Sequence, residues 1–253
     1  MQREAFVTFS VDDGDPSDLR AADLLQKYGL KATFYIPERN AERAVMPEHQ
    51  IQDISRRFEI GAHTLNHVRL TAVSREQAWT ELRDGKKWVE DLTGQPARSF
   101  CYPGGKFDHY ILKLVEQAGY SGARSCMFNL TNFPQNPFLW GVSTHAHSHT
   151  RLVQLRHALL EKNLAGAWNF VTVFAGKTDW LEHFLSAVKQ VSERGGIAHL
   201  YFHSWEIDQF KDWARLESAF DAVGKMPNLV RVTNGELFAM PSQLQVLRAA
   251  ELS

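Results

Sequence analysis

Short apolar runs rich in Val, Phe, Tyr and Ile alternate with longer helical patterns from residue 5 to residue 232, and this alternation constrains the fold more than any other feature. "AFVTFSV" (5–11), "KATFYI" (31–36), "FEIGAH" (58–63), "RSFCY" (98–102), "SGARS" (121–125), "WNFVTVF" (168–174), "IAHLYF" (197–202) and "LVRV" (229–232) read as strands. Between them the spacing predicts helices over 17–29, 47–57, 75–93, 108–119, 179–194 and 212–223, with one more at the C-terminal end. The clearest is 75–93: Ser74 and Gln77 fit a capping box, Trp79, Leu82, Val89 and Leu92 keep a helical spacing, and Gly94 follows. Ser17 suits the N-cap of the first helix and Gly29 its C-terminal stop. No repeat, low-complexity tract or Pro/Ser-rich linker interrupts the pattern, which favours one α/β domain with helices covering a parallel sheet, open or closed into a barrel. In such folds chemistry gathers at the C-terminal ends of the strands, so position there separates a candidate site from a solvated loop.

Bulk properties exclude several classes. The 253 residues are 44% hydrophobic and 23% charged, ordinary for a globular protein. A net charge of −1 gives no electrostatic reason to expect nucleic acid or an anionic membrane as partner. Two cysteines, Cys101 and Cys126, are too few for a disulfide framework or a thiolate zinc site. No apolar run approaches the roughly 18 residues of a membrane helix, and "MQREAFVTFSVDDG" lacks the basic and apolar segments of a signal peptide. The expectation is a cytoplasmic protein without a membrane span, with homo-oligomerisation left open.

Five segments carry potential chemistry. "SVDDGD" places Asp12 and Asp13 after a strand and before Gly14; neighbours on an extended segment point to opposite sides, so one carboxylate could bind a cation while the other faces substrate. A D-D-G turn alone is usually just a solvated turn. "HTLNH" offers His63 and His67, which as helix or compact turn could bring two imidazoles to one Zn²⁺, though a lone H-x-x-x-H is weak. "HAHSH" would align His145, His147 and His149 on one face of an extended segment, but it has no nearby carboxylate in sequence and fits a substrate-side loop better. "SFCYPGGKFD" ends a strand in a Pro-Gly-Gly turn whose backbone N–H groups suit an oxyanion, a simple tight turn being the plain alternative. Cys101 in that strand has no neighbour to lower its pKa and reads as a packed thiol. In "HLYFHSWEID", His203 follows an apolar run and suits a general acid or base; Trp205 and Glu206 beside it could form a site wall, and Asp179 could pair with His203.

In this order, D-D-G, H-T-x-x-H, strand–x–P–G–G and a late histidine after an apolar run resemble the polysaccharide deacetylases of carbohydrate esterase family 4, the NodB-homology family. The resemblance runs from about residue 5 to about 125, through "KYGLKATFYIP", "IGAHTLNH", "LTGQPARSFCYPGGKFD" and "AGYSGA", and resumes at "GGIAHLYFHSWEID". It implies a distorted (β/α) barrel forming one catalytic domain over residues 1–253, core 5–240, and a divalent metal, usually zinc, with Co²⁺ or Ni²⁺ as alternatives. Carried over residue by residue, Asp13, His63 and His67 look like the metal ligands, Asp12 like the general base and His203 like the general acid. Asp179 looks like the carboxylate that orients His203, and Gly104 matches the position whose backbone N–H faces the oxyanion. Tyr102, Trp205 and Glu206 are expected to contact a carbohydrate substrate.

The chain departs from the family pattern in several places. Cys101 stands where the family often has the Arg that contacts the general base, Val68 replaces a frequent proline, and "FSVDDGD" replaces the commoner "TFDDGP". "FHSWE" resembles the late motif of an exopolysaccharide-associated branch. The implied reaction is metal-dependent removal of an N-acetyl group from a sugar. An amidohydrolase or deformylase acting on a small amide or imide, and a non-catalytic glycan-binding barrel, are the alternatives.

Overall fold

Strand β1 (Ala5–Asp12) is buried along its whole length and is the axis of the molecule. The computed structural model describes residues 4–240, so the outer ends of the expected domain, 1–3 and 241–253, lie outside the described residues. Around β1 are laid β2 (Ala32–Ile36), β3 (Glu59–Ala62), β4 (Ser99–Cys101), β5 (Gly122–Arg124), β6 (Thr144–His145), β7 (Gly196–Phe202) and β8 (Leu229–Arg231). Their order is β5-β4-β3-β2-β1-β7-β6, all pairs parallel. β8 pairs with Ala5–Val7 of β1, beside the stretch from Phe9 onward that β2 takes. The result is a curled, parallel (β/α) half-barrel wrapped by helices, a single domain of the kind the alternation predicts.

The helices are α1 (Asp18–Lys27), α2 (Glu48–Ser55), α3 (Arg75–Thr93), α4 (His109–Gln117), α5 (Arg151–Leu160), α6 (Leu164–Thr172), α7 (Trp180–Arg194), α8 (Ser204–Phe210), α9 (Trp213–Gly224) and α10 (Asn234–Phe238). Helix α3 has the expected bounds because its signals agree: Ser74 Oγ accepts from the Gln77 N–H at 3.2 Å, and Gly94 closes it at φ 67°. Gly29 likewise takes φ 62° after α1, whereas Ser17 spends its hydroxyl on Asp15 at 2.6 Å and caps nothing.

The period-2 alternation of β1 divides core from site. Val7, Phe9 and Val11 join the main apolar core, where Phe9 packs edge-on against Phe184 of α7 and Phe220 of α9. Thr8, Ser10 and Asp12 face the inside of the curl and are all polar. Thr8 donates to Asn234 at 2.9 Å, Ser10 meets His199 Nε2 at 2.9 Å, and Asp12 meets Arg124. Buried polar groups hold together only when paired in this way.

One expected strand is a helix. Residues 168–174 fall mainly in α6, capped by Asn163, whose side chain accepts from the Gly166 N–H at 2.8 Å and donates to the Phe128 carbonyl at 2.8 Å. The β-branched and aromatic run suggested a strand, but Phe170 of α6 and Phe174, just past the helix end, both pack into the core. Helix α5 lies in a stretch for which the sequence offered no element.

Candidate active site

The C-terminal ends of β1, β3, β4 and β7 open into a cleft of about 650 Å³ that gathers Asp12, Asp13, His63, His67, Tyr102, Gly104, His203 and Trp205. A second cavity, about 470 Å³, lies at the N-terminal ends of β3 and β4, lined by Glu59, Ile60, Arg98 and Glu236 among others; it holds none of the described groups able to bind a metal. The parallel topology accounts for this division.

At the end of β1 the chain turns through two left-handed residues, Asp13 (φ 82°) and Gly14 (φ 69°). A side chain on Gly14 would strike Ile36 Cγ2 at 2.6 Å, so glycine is needed there for space as well as conformation. The turn sends the two carboxylates to different partners. Asp13 Oδ1 lies 3.1 Å from His67 Nε2 and 3.6 Å from His63 Nε2, and its Oδ2 accepts from Trp205 Nε1 at 3.1 Å. Burial would raise the Asp13 pKa, but both imidazoles and the nearby His203 charge hold it well below the carboxylate range.

"HTLNH" is a compact turn rather than a helix, with Thr64 (φ 62°) and His67 (φ 54°) left-handed. Buried Glu81 on α3 holds it, accepting from the N–H groups of Leu65 (3.0 Å) and Asn66 (2.9 Å) and from Asn66 Nδ2 (2.8 Å). Gly85, one turn further along α3, lets the helix sit against this backbone; a Cβ there would come within 2.8 Å of Thr64 C. His63 donates from Nδ1 to the Cys101 carbonyl at 2.8 Å, which leaves its Nε2 lone pair facing Asp13.

These atoms fit a divalent cation. Asp13 Oδ1 is buried and accepts no well-directed hydrogen bond, although two imidazole nitrogens point at it. One ligand atom from each of Asp13, His63 and His67 lies within 4.8 Å of the others, a carboxylate–His–His donor set of the type that holds zinc with a position to spare.

Asp12 is paired with a residue that no motif in its own segment marks as a site residue. Arg124 of β5, fully buried, places its guanidinium on both Asp12 oxygens. Burial opposes the ionised carboxylate, yet the Arg124 charge and hydrogen bonds, with His63 and His203, hold its pKa below the usual range. Strand register explains the reach: Cys101 and Arg124 are cross-strand partners, so their side chains lean to the same side and the long Arg passes the small thiol. Cys101 is the packed residue expected, its thiol pushed up by burial, with Sγ 3.7 Å from Asp12 Oδ2. An arginine in a strand of small residues, "SGARS", was the available signal.

His203 follows β7 and directs Nε2 toward Asp13 Oδ2, 3.9 Å away. Its Nδ1 donates to Glu206 Oε2 at 2.8 Å, and the same oxygen accepts from His145 Nε2 at 2.8 Å. Burial works against charge on His203, but the Glu206 hydrogen bond and the Asp13 and Asp12 charges raise its pKa to about 9.

Two expectations therefore need correction. Asp179 does not pair with His203: it caps α7, accepting from the N–H groups of Leu181 and Glu182 (3.1 Å each), and its other oxygen takes Arg215. Glu206 is the partner instead of a wall for substrate, because three residues on from His203 the first turn of α8 brings it back under the ring. Tyr102 is buried with its hydroxyl donated to the Phe138 carbonyl at 3.1 Å, so it supports the cleft floor. Trp205 lines the cleft, stacked under the Arg43 guanidinium at 3.2 Å. His145 stacks on Tyr201 at 4.3 Å and meets His149 at 3.2 Å, so "HAHSH" buttresses Glu206. In the Pro-Gly-Gly turn, Gly104 sits at φ 62°; the Gly105 and Lys106 N–H groups bond back to Tyr102 and Pro103, leaving the Gly104 N–H outside these bonds.

Residues 2–123 match the family described as polysaccharide deacetylase. That stretch is just under half of the chain, and over it the chain is similar to the polysaccharide deacetylases. Among its relatives is the peptidoglycan-N-acetylglucosamine deacetylase of Bacillus cereus, 32% identical over 119 residues, 46% of this chain and 54% of that protein. The chain spans about half the length of the curated relatives it matches. Two solved structures extend the likeness of fold over nearly all of it. One is a family 4 acetyl xylan esterase from Clostridium thermocellum in complex with a cobalt ion (TM-score 0.57, 17% identity, 94% of this chain and 93% of that one). The other is the Xyl-CE4 domain of a multidomain xylanase from the hindgut metagenome of Trinervitermes trinervoides (TM-score 0.58, 16% identity, 93% and 90%). Beside Cys101, where the resemblance to the family breaks, Arg124 meets Asp12 from the next strand.

Proposed function

We propose that the protein is a metal-dependent hydrolase that removes an N-acetyl group from an N-acetylated sugar, with residues 5–240 as its catalytic core. The observation that carries this reading is the convergence, in one cleft, of the Asp13–His63–His67 donor set with the Asp12–Arg124 and His203–Glu206 pairs. Zn²⁺, or Co²⁺ or Ni²⁺, held by those three donors would supply Lewis acidity at the acyl oxygen and make water more acidic. Asp12, kept ionised by Arg124, takes the proton of the attacking water. This pairing trades basicity for availability across the range where His203 still holds its proton. His203 gives its Nε2 proton to the leaving amine while Glu206 balances the charge on the ring. The Gly104 N–H would meet the developing oxyanion, and Trp205, which lines the cleft, holds Asp13 through its Nε1–H.

Metal content by mass spectrometry on the wild type and His63→Ala, alongside acetate release from N-acetylated oligosaccharides, tests this reading. One metal per chain, lost in His63→Ala, together with acetate release abolished by Asp12→Asn, is the expected result. Metal retained in His63→Ala refutes the ligand set, and turnover confined to a small non-carbohydrate amide refutes the substrate class.

A further inference from the structure

Helices α5 and α6 turn one side inward. Gln154, Ala158, Gly166 and Phe170 are buried, and His157 and Glu161 line the cleft. The other side is apolar and uncovered. Seven of the nine large apolar side chains exposed among the described residues lie between Leu152 and Val171, with Leu152 78%, Leu159 75%, Leu164 78% and Trp168 70% exposed. Scattered exposed leucines need no explanation, but this concentration on one helical pair does. The exposed charged residues of the same pair and its connection, Arg151, Arg156 and Lys162, are all cations; Glu161 is half-buried on the cleft side.

We propose that the outer face of α5 and α6 docks on an anionic lipid surface. Leucines and a tryptophan bordered by Arg and Lys make the composition that enters the headgroup boundary, the cations meeting lipid phosphates while the apolar side chains leave water. The whole-chain charge of −1 conceals this local excess, since the balancing carboxylates lie elsewhere. A second copy of the chain fits less well. A two-fold contact through this face would bring Arg151, Arg156 and Lys162 near their own counterparts with no exposed carboxylate of the pair between them. The docking does not depend on the hydrolytic reading.

Co-sedimentation of the full chain with vesicles of phosphatidylcholine, alone or mixed with phosphatidylglycerol, tests the proposal. Binding is expected to the phosphatidylglycerol vesicles, weakening as salt rises. The double variant Leu159→Glu/Trp168→Glu should lower partitioning at least about tenfold, with its thermal unfolding checked in parallel. Should that variant fail to fold, the wild type still decides: brominated phosphatidylglycerol vesicles should quench tryptophan emission, and most of the quenching should vanish in Trp168→Phe. Absence of wild-type binding to phosphatidylglycerol vesicles overturns the proposal, as does equal binding by a folded double variant. A dimer in sedimentation equilibrium that the double variant dissociates, without vesicle binding by the wild type, assigns the face to a second copy instead.

Discussion

His203 and Asp12 are pushed to opposite ends of the pH scale by their neighbours, although burial resists charge on both. The Glu206 hydrogen bond and the Asp13 and Asp12 charges raise His203 to about 9, while Arg124 holds Asp12 low. At intermediate pH His203 is protonated and Asp12 ionised, the separation that the proposed acid and base roles require. A cation on Asp13 would cancel that carboxylate's share of the pull on His203 and leave the Glu206 share. Replacing Glu206 by Gln removes a group that favours the charged ring, so the His203 pKa must fall. The alkaline limb of kcat/KM should then move to lower pH by roughly a unit or more, and an unmoved limb would show that Glu206 does not charge His203. The raised pKa also has a stability consequence: its contribution is complete below about 6.5, the ordinary histidine value, and is lost as pH rises through about 9. Arg124→Met should cost about 3–5 kcal/mol in denaturant unfolding, because it strands the buried Asp12 charge. Adding Asp12→Asn should recover most of that loss; a single-variant cost below about 1 kcal/mol would contradict the account of the pair. Neither pairing was legible locally. Arg124 is 112 residues from Asp12 in sequence, and Glu206 is adjacent to His203 only because α8 begins there.

The helix α3 was fully legible in the sequence, yet its part in the site was not. Ser74, Gly94 and the apolar spacing fix where it starts, stops and faces, but Glu81 and Gly85 look like ordinary helical residues until the "HTLNH" turn is laid against them. Glu81→Gln keeps the shape and removes the charge that the Leu65 and Asn66 N–H groups point to. Metal affinity should fall by about 10–100-fold, as measured by competition with a chromophoric chelator, because the turn that sets His63 and His67 loosens. Unchanged affinity would mean the turn holds its shape without α3. The strands near the start of the chain matched their apolar runs because every residue of β1 and β2 is buried, leaving no competing signal. In residues 168–174 a β-rich composition competed with a helical period, and packing of Phe170 in the core together with the Asn163 cap decided for the helix.

At the scale of the whole molecule, the curled sheet joins residues from β1 to α8 around one cleft, so a cation bound there would tie distant parts of the fold together. Removing it with a chelator should lower Tm by several degrees: a ligand at about 100 times its Kd contributes roughly 2.7 kcal/mol, and each kcal/mol is worth about 2–4 °C in a chain of this size. No change in Tm on chelation, with metal shown to have been bound beforehand, would argue against a site that spans strands. The sequence by itself determined the alternation of elements, the strand ends at which Asp12, Asp13, His63 and His203 stand, and the resemblance to the polysaccharide deacetylases. Those are local properties, set by period, turn chemistry and residue type within a few positions. Only the tertiary structure decided which carboxylate charges His203, which arginine faces Asp12, and that α5 and α6 present an uncovered apolar face. Cross-strand register brings Arg124 to Asp12 across 112 positions, a distance no local spacing encodes, while Glu206 reaches His203 from three residues away only because α8 starts between them.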